Sequence, residues 1–236
     1  MDLSILPTAG ELMPLGLRAR HWRPGLVCAA QTEIFADARE GSGAALALAL
    51  ALDGLGEGAF ERNHVLWVQD GASQRLNGRP YRHGLPPALR RRLIHVCAPR
   101  PEDALFALEE GLRCRELACV IGEIAGNPKA LDFTASRRLT LAAEKHGAAL
   151  FLVRHDAQAD LSSARMRWRA RAAASLPPRW NAEAPGSPAW RAELFRARGH
   201  APGEWILDDG ARLTARPSTS SGRAEEEAAY SQTRSA

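Results

Sequence analysis

Short apolar runs alternate with stretches of helical spacing from about residue 27 to residue 153. Residues 27–35 form the first run and predict a strand. A Gly-Ser-Gly turn follows, and then residues 44–52, which alternate Ala and Leu. That alternation imitates the period of a strand. No β-branched residue appears in it, however, and Ala and Leu are the strongest helix formers, so it predicts a helix closed by Asp53-Gly54. Residues 64–69 are a buried strand ended by a turn at Asp70-Gly71, and a polar loop runs from there to Pro87. Residues 93–97 make another strand. Pro101 suits a first helical position, Glu102 and Asp103 suit the positive end of the helix dipole, and Leu105, Leu108 and Leu112 give one apolar stripe. A strand at 117–121 comes next. Asn127-Pro128 predicts a helix start and Gly147 its stop, with Leu131, Ala135, Leu139 and Ala142 on the stripe. A fifth strand covers 148–153. Strands alternating with helices imply an α/β fold, a mainly parallel sheet covered by helices on both faces.

The texture changes after Val153. A polar connection leads to residues 165–171, which alternate strictly. Arg165, Arg167, Arg169 and Arg171 fall on one face, and Met166, Trp168 and Ala170 on the other, as in a half-buried strand. A Pro-rich connection follows, and 190–196 with 204–208 predict a final strand pair. The resulting division is an N-terminal surface segment at 1–24, an α/β core at 25–175, a C-terminal β extension at 176–210 packed on the core, and a disordered tail at 211–236, which is poor in apolar residues.

Composition adds little to this picture. A chain of 236 residues with 45% apolar and 25% charged content can bury one sizeable core. The net charge of +4 permits contact with nucleic acid or an acidic protein and demands neither. The cysteines, Cys28, Cys97, Cys114 and Cys119, have no zinc spacing and read as reduced thiols of a cytoplasmic protein. The histidines show no ligand spacing, so no metal is expected. The N-terminus lacks the pattern of a signal peptide, and no apolar run is long enough to span a membrane.

The chemistry turns on the loop at Gly41, Ser42 and Gly43. In a phosphate-binding loop the last Gly precedes a Lys that reaches the phosphates and a hydroxyl residue that ligates magnesium. Here Ala44 and Ala45 follow. Backbone N–H groups remain at a helix N-terminus, but the cation and the metal ligand are gone. Asp70, Glu123 and Asp132 admit two readings: a cluster of acids for a metal, or a turn opener and first-turn decoration of a helix. The Arg165/Arg167/Arg169/Arg171 face, with Arg154 before it, could track phosphates or dock an acidic partner. It could equally be an edge strand blunted by charge. Trp168, Trp180, Trp190 and Trp205 are either interface anchors or fillers of a thin outer layer.

The order of these pieces resembles a known family. The segment EIF before the Gly-Ser-Gly turn resembles the opening of the RecA-type ATPase core, and LWVQDG resembles the strand that ends in its catalytic acid. LACVIGEIAG sits where that core has its second nucleotide strand. SSARMRWRARAAAS and PGSPAWRAELFRARGHAPGEWIL are more specific. Together they resemble ImuA over roughly residues 25–210. ImuA is a RecA-like protein encoded beside ImuB and a DnaE-type error-prone polymerase in bacterial damage-mutagenesis cassettes.

The resemblance implies a RecA-like core whose phosphate-binding Lys falls on Ala44 and whose magnesium hydroxyl falls on Ala45. The catalytic acid falls on Asp70. The acid of the second nucleotide strand falls on Gly122, with Glu123 beside it, and a retained DNA contact would lie within Arg154–Arg171. The expectation is therefore a protein without ATP hydrolysis, cofactor or catalytic residue. It would act in SOS-induced translesion synthesis by binding an ImuB-like adaptor, with RecA and DNA as further partners and the polymerase reached indirectly. Trp190 and Trp205 are the candidates for docking the adaptor. The rival expectation is a SulA-type division inhibitor that binds FtsZ.

Overall fold

The computed structural model of the protein describes residues 30–55, 64–85, 87–175, 178, 180–181, 183–198, 202–209 and 213–217. The expected N-terminal surface segment lies outside the described residues, as does the tail beyond 217. The elements in chain order are β1 (Gln31–Ala36), α1 (Ser42–Leu55), β2 (His64–Asp70), α2 (Gly71–Asn77), a 3-10 turn (Arg82–Gly84), α3 (Pro87–Arg90), β3 (Leu93–Ala98) and α4 (Pro101–Arg113). They continue with β4 (Leu117–Ala125), α5 (Phe133–His146), β5 (Ala149–His155), β6 (Met166–Ala173), β7 (Ala189–Ala197), β8 (Gly203–Asp209) and β9 (Leu213–Pro217).

The nine strands among the described residues form one sheet in the order β3-β2-β4-β5-β1-β6-β7-β8-β9. The first six run parallel. The last three joins are antiparallel. This is the expected α/β class, a mainly parallel sheet flanked by helices with a C-terminal β extension, and it is consistent with a RecA-like core. Because strand side chains alternate, each inner strand feeds two cores. On one face Ile34, Val65, Trp67, Ile121, Phe151 and Val153 pack with Leu46 and Leu50 of α1. On the other Leu66, Val68, Val120, Ile124, Leu150 and Leu152 pack with Leu108 and Leu112 of α4 and Leu139 of α5. Each such buried side chain stabilises the fold by about 1.5–3 kcal/mol relative to exposure.

Helix α1 confirms the reading of the Ala-Leu run. Gly43 lets its first turn approach the sheet, since a Cβ there would come within 2.7 Å of Val153 Cγ1 and 2.8 Å of Ala36 Cβ. Among the described residues no helix is long and apolar enough to cross a membrane.

Three expectations need correction. The loop expected after Asp70 contains helix α2, because the Asp70 carboxylate caps it by accepting from the Ser73 N–H at 2.7 Å. Helix α5 starts at Phe133 rather than beside Pro128. Asn127 is taken up by the loop after β5, where it donates to the Gln158 carbonyl at 3.0 Å and accepts from the Gln158 N–H at 2.8 Å, and Asp132 caps the helix instead. The tail expected to be disordered from 211 contains β9 at Leu213–Pro217, antiparallel to β8.

Candidate functional site

In open α/β sheets ligands bind beyond the carboxyl ends of the parallel strands. Here those ends carry the loop after β1, Asp70 of β2, Glu123 of β4 and His155 of β5. Gly41 takes the left-handed conformation, φ +61°, that turns the chain into α1. The surroundings of this turn are acidic. The Asp156 carboxylate accepts from the Ala38 N–H at 3.0 Å. The Glu40 carboxylate accepts from the Ala172 N–H at 2.9 Å, and the Ser42 hydroxyl donates to the Ala170 carbonyl at 3.3 Å. Asp37 forms an exposed pair with Arg39 at 2.5 Å, whose hydrogen bonds pull the Asp37 carboxyl down to about 2. Carboxylates therefore surround the turn where a nucleotide would place its phosphates, and Ala44 and Ala45 offer no cation against them.

A polar network lies behind the turn. Glu123 is 2% exposed, and its carboxylate accepts from Trp67 Nε1 at 2.6 Å and Gln69 Nε2 at 3.1 Å. His155, fully buried, lies 2.8 Å from the same carboxylate through Nε2, which also sits 2.9 Å from the Asn77 amide. The Asn77 amide also donates to Glu123 Oε2 at 3.4 Å, and the ring tautomer decides whether His155 Nε2 accepts from Asn77 or donates to Glu123. Gln69 in turn accepts from His95 at 2.9 Å, and burial pulls the His95 pKa down, towards the neutral ring. Helix α2 supplies Asn77, so the cap at Asp70 holds one partner of the network in place.

Asp70, expected as a vestigial catalytic acid or as the opener of a turn, is a buried helix cap. Asp132 is the cap of α5. Among the described residues no three His, Cys, Asp or Glu side chains gather as a metal site. Gly122 packs against Leu108 of α4, whose Cδ2 would lie 2.8 Å from an added Cβ.

A second network fills the other face. The Glu33 carboxylate, fully buried, accepts from Arg167 Nε at 2.8 Å and from the Ser162 hydroxyl at 2.7 Å. Thr140 of α5 donates to Gln31 at 2.7 Å. The candidate arginine face is therefore divided. Arg167 is buried over the rings of Phe35 and Phe195. Arg154 is buried and donates to the Gly126 carbonyl at 2.9 Å, and burial lowers its pKa. Arg165 pairs with Glu144 at 2.5 Å, and Arg169 pairs with Glu193 at 3.0 Å over Phe195. Arg171 is exposed. Strict alternation placed these residues correctly but could not show that β1 sets Glu33 opposite Arg167. The signal for both networks was a charged or amide residue inside an apolar strand, at Glu33, Gln69 and Glu123.

The tryptophans read as fillers in three of four positions. Trp168 and Trp190 are buried, and Trp205 packs on Trp168 with ring centroids 5.8 Å apart. Trp190 is thus unavailable to a partner in this conformation, while Trp180 is exposed.

No protein-family model matches the chain. Over 134 residues it is 35% identical to Protein ImuA of Caulobacter vibrioides, in strain NA1000 / CB15N and equally in strain ATCC 19089 / CIP 103742 / CB 15. The chain resembles ImuA. The aligned stretch is 52% of this chain and 52% of each relative, so the chain spans about half the length of the curated ImuA proteins it matches.

Proposed function

We propose that this ImuA-like chain is a binding component of damage-induced, error-prone DNA synthesis and that it hydrolyses no nucleotide. The likeness to ImuA carries the reading. The turn before α1 supports its second half, because it pairs Ala44 and Ala45 with the carboxylates of Glu40, Asp156 and Asp37. On this reading the protein is cytoplasmic and docks an ImuB-like adaptor, which brings a DnaE-type polymerase to the lesion. RecA is a further partner.

The ultraviolet-induced mutation frequency of a deletion strain tests the role. It should fall to the uninduced level and return on complementation. An unchanged frequency, with cells that filament on overexpression, would replace this reading with the division-inhibitor one. Steady release of phosphate from ATP by the purified protein would overturn the absence of nucleotide hydrolysis.

A further inference from the structure

The exposed edge of the sheet carries an unusual charge. Between Gly71 and Pro101 there are seven Arg and no Asp, Glu or Lys, so this short stretch holds +7 while the whole chain holds +4. The rest of the chain is therefore net −3, and the positive charge of the protein is local. The segment includes β3, the terminal strand of the sheet, which pairs with β2 on one side and with no described strand on the other.

The arginines are spread along this edge. A Cβ on Gly71 would lie 3.4 Å from Arg75 Nη1 and 2.8 Å from the Pro99 carbonyl, which places the Arg75 guanidinium near the carboxyl end of β3. Arg79 is near enough to His95, in the middle of β3, to lower its pKa after the larger effect of burial. Arg82 donates to the Arg90 carbonyl from Nε at 3.1 Å and from Nη2 at 2.6 Å, and Arg90 donates to the Leu85 carbonyl at 2.9 Å, before the amino end of β3. These two guanidinium groups are fixed by carbonyls, so their charge is oriented without being neutralised. Arg100 is paired with Asp103 at 2.8 Å and is not counted in this track. Tyr81 stands among these cations 73% exposed, its ring against the imidazole of His83 at 5.6 Å between centroids.

We infer that this edge, from Arg75 through Arg79, Tyr81, Arg82 and Arg91, binds single-stranded nucleic acid, with the guanidinium groups on the phosphates and the Tyr81 ring stacked on a base. A six-residue strand spans roughly 20 Å, room for a few consecutive phosphates. A cationic track with a projecting aromatic ring is the arrangement that holds single strands without reading sequence. An acidic protein segment adding to β3 would use the same charges, but it would have no need of an exposed Tyr81 ring. The inference does not depend on the proposed role in mutagenesis, and it places the contact on the opposite edge of the parallel core from the Arg165–Arg171 face.

The test is fluorescence anisotropy of a labelled twenty-nucleotide oligo(dT) with the full chain over a series of salt concentrations. Binding should weaken with salt, with a log–log slope of about −3 if four phosphates are neutralised. The double variant Arg79→Gln/Arg91→Gln should weaken binding at least tenfold and flatten the slope by about 1 to 2. Tyr81→Ala should weaken it about tenfold and leave the slope unchanged. Arg169→Gln/Arg171→Gln, on the other face, should change little. All four substituted arginines are exposed, and circular dichroism checks that each variant is folded. The inference fails if the edge variants bind as the unsubstituted protein does, if a duplex of equal length binds as tightly as the single strand, or if a polyglutamate peptide binds more tightly than the oligonucleotide.

Discussion

Gly122 sits in β4 where its surroundings leave no room for a side chain. A side chain there meets Leu108 and Leu152 within a face made of apolar residues. Gly122→Asp would add both a clash and a buried carboxylate with no cation beside it. It should lower stability by about 3 kcal/mol or more, read as a shift in the urea midpoint. Asp37 illustrates the opposite environment, an exposed carboxylate with an Arg beside it. Its folded pKa of about 2 lies below the ordinary 3.8, so the Arg39 pairing is fully present above about pH 4 and is lost as pH falls through 2. A carbon-detected NMR titration should place the Asp37 midpoint near 2, and Arg39→Ala should return it towards 3.8.

At the scale of elements the caps decide the boundaries. Asp132 holds the first turn of α5 through the Ala135 N–H at 2.7 Å, and it is exposed. Asp132→Ala should therefore cost about 1 kcal/mol in denaturant midpoint with no change in the denaturant slope. The boundary of α5 shows why sequence reading succeeds and fails where it does. Asn127-Pro128 and Asp132 are both competent starts by local rules. The choice between them is made by Gln158, thirty-one residues away, which engages Asn127. Asp70 is a parallel case, since Asp-Gly reads as a turn until the Ser73 N–H is seen to donate to its carboxylate. Strands β2 to β5 and helices α1 and α4 were legible because their apolar periodicity is a property of the segment itself. The Glu123–His155 and Glu33–Arg167 partnerships were not, because strand order determines them and periodicity carries no strand order.

For the molecule as a whole, burial separates the thiols. Cys119 sits in the α1-side core, where desolvation pushes its thiol up to about 12, whereas Cys97 and Cys114 are exposed. A chromogenic disulfide reagent should label Cys97 and Cys114 promptly in the native protein, and Cys119→Ser should leave the prompt amplitude unchanged. Strand β6 pairs parallel with β1 on one side and antiparallel with β7 on the other. The buried pair of Glu33 and Arg167 joins β1 to β6 within the parallel part, and so ties the half of the sheet that ends at β1 to the half that starts at β6 and continues into the antiparallel strands. Were the halves to separate, two charges now within 2.8 Å of each other would each be left uncompensated, at a cost of several kcal/mol. Neither half can melt ahead of the other without meeting that cost. A calorimeter should accordingly record one endotherm, its van't Hoff and calorimetric enthalpies equal, and Arg167→Met should split it into two.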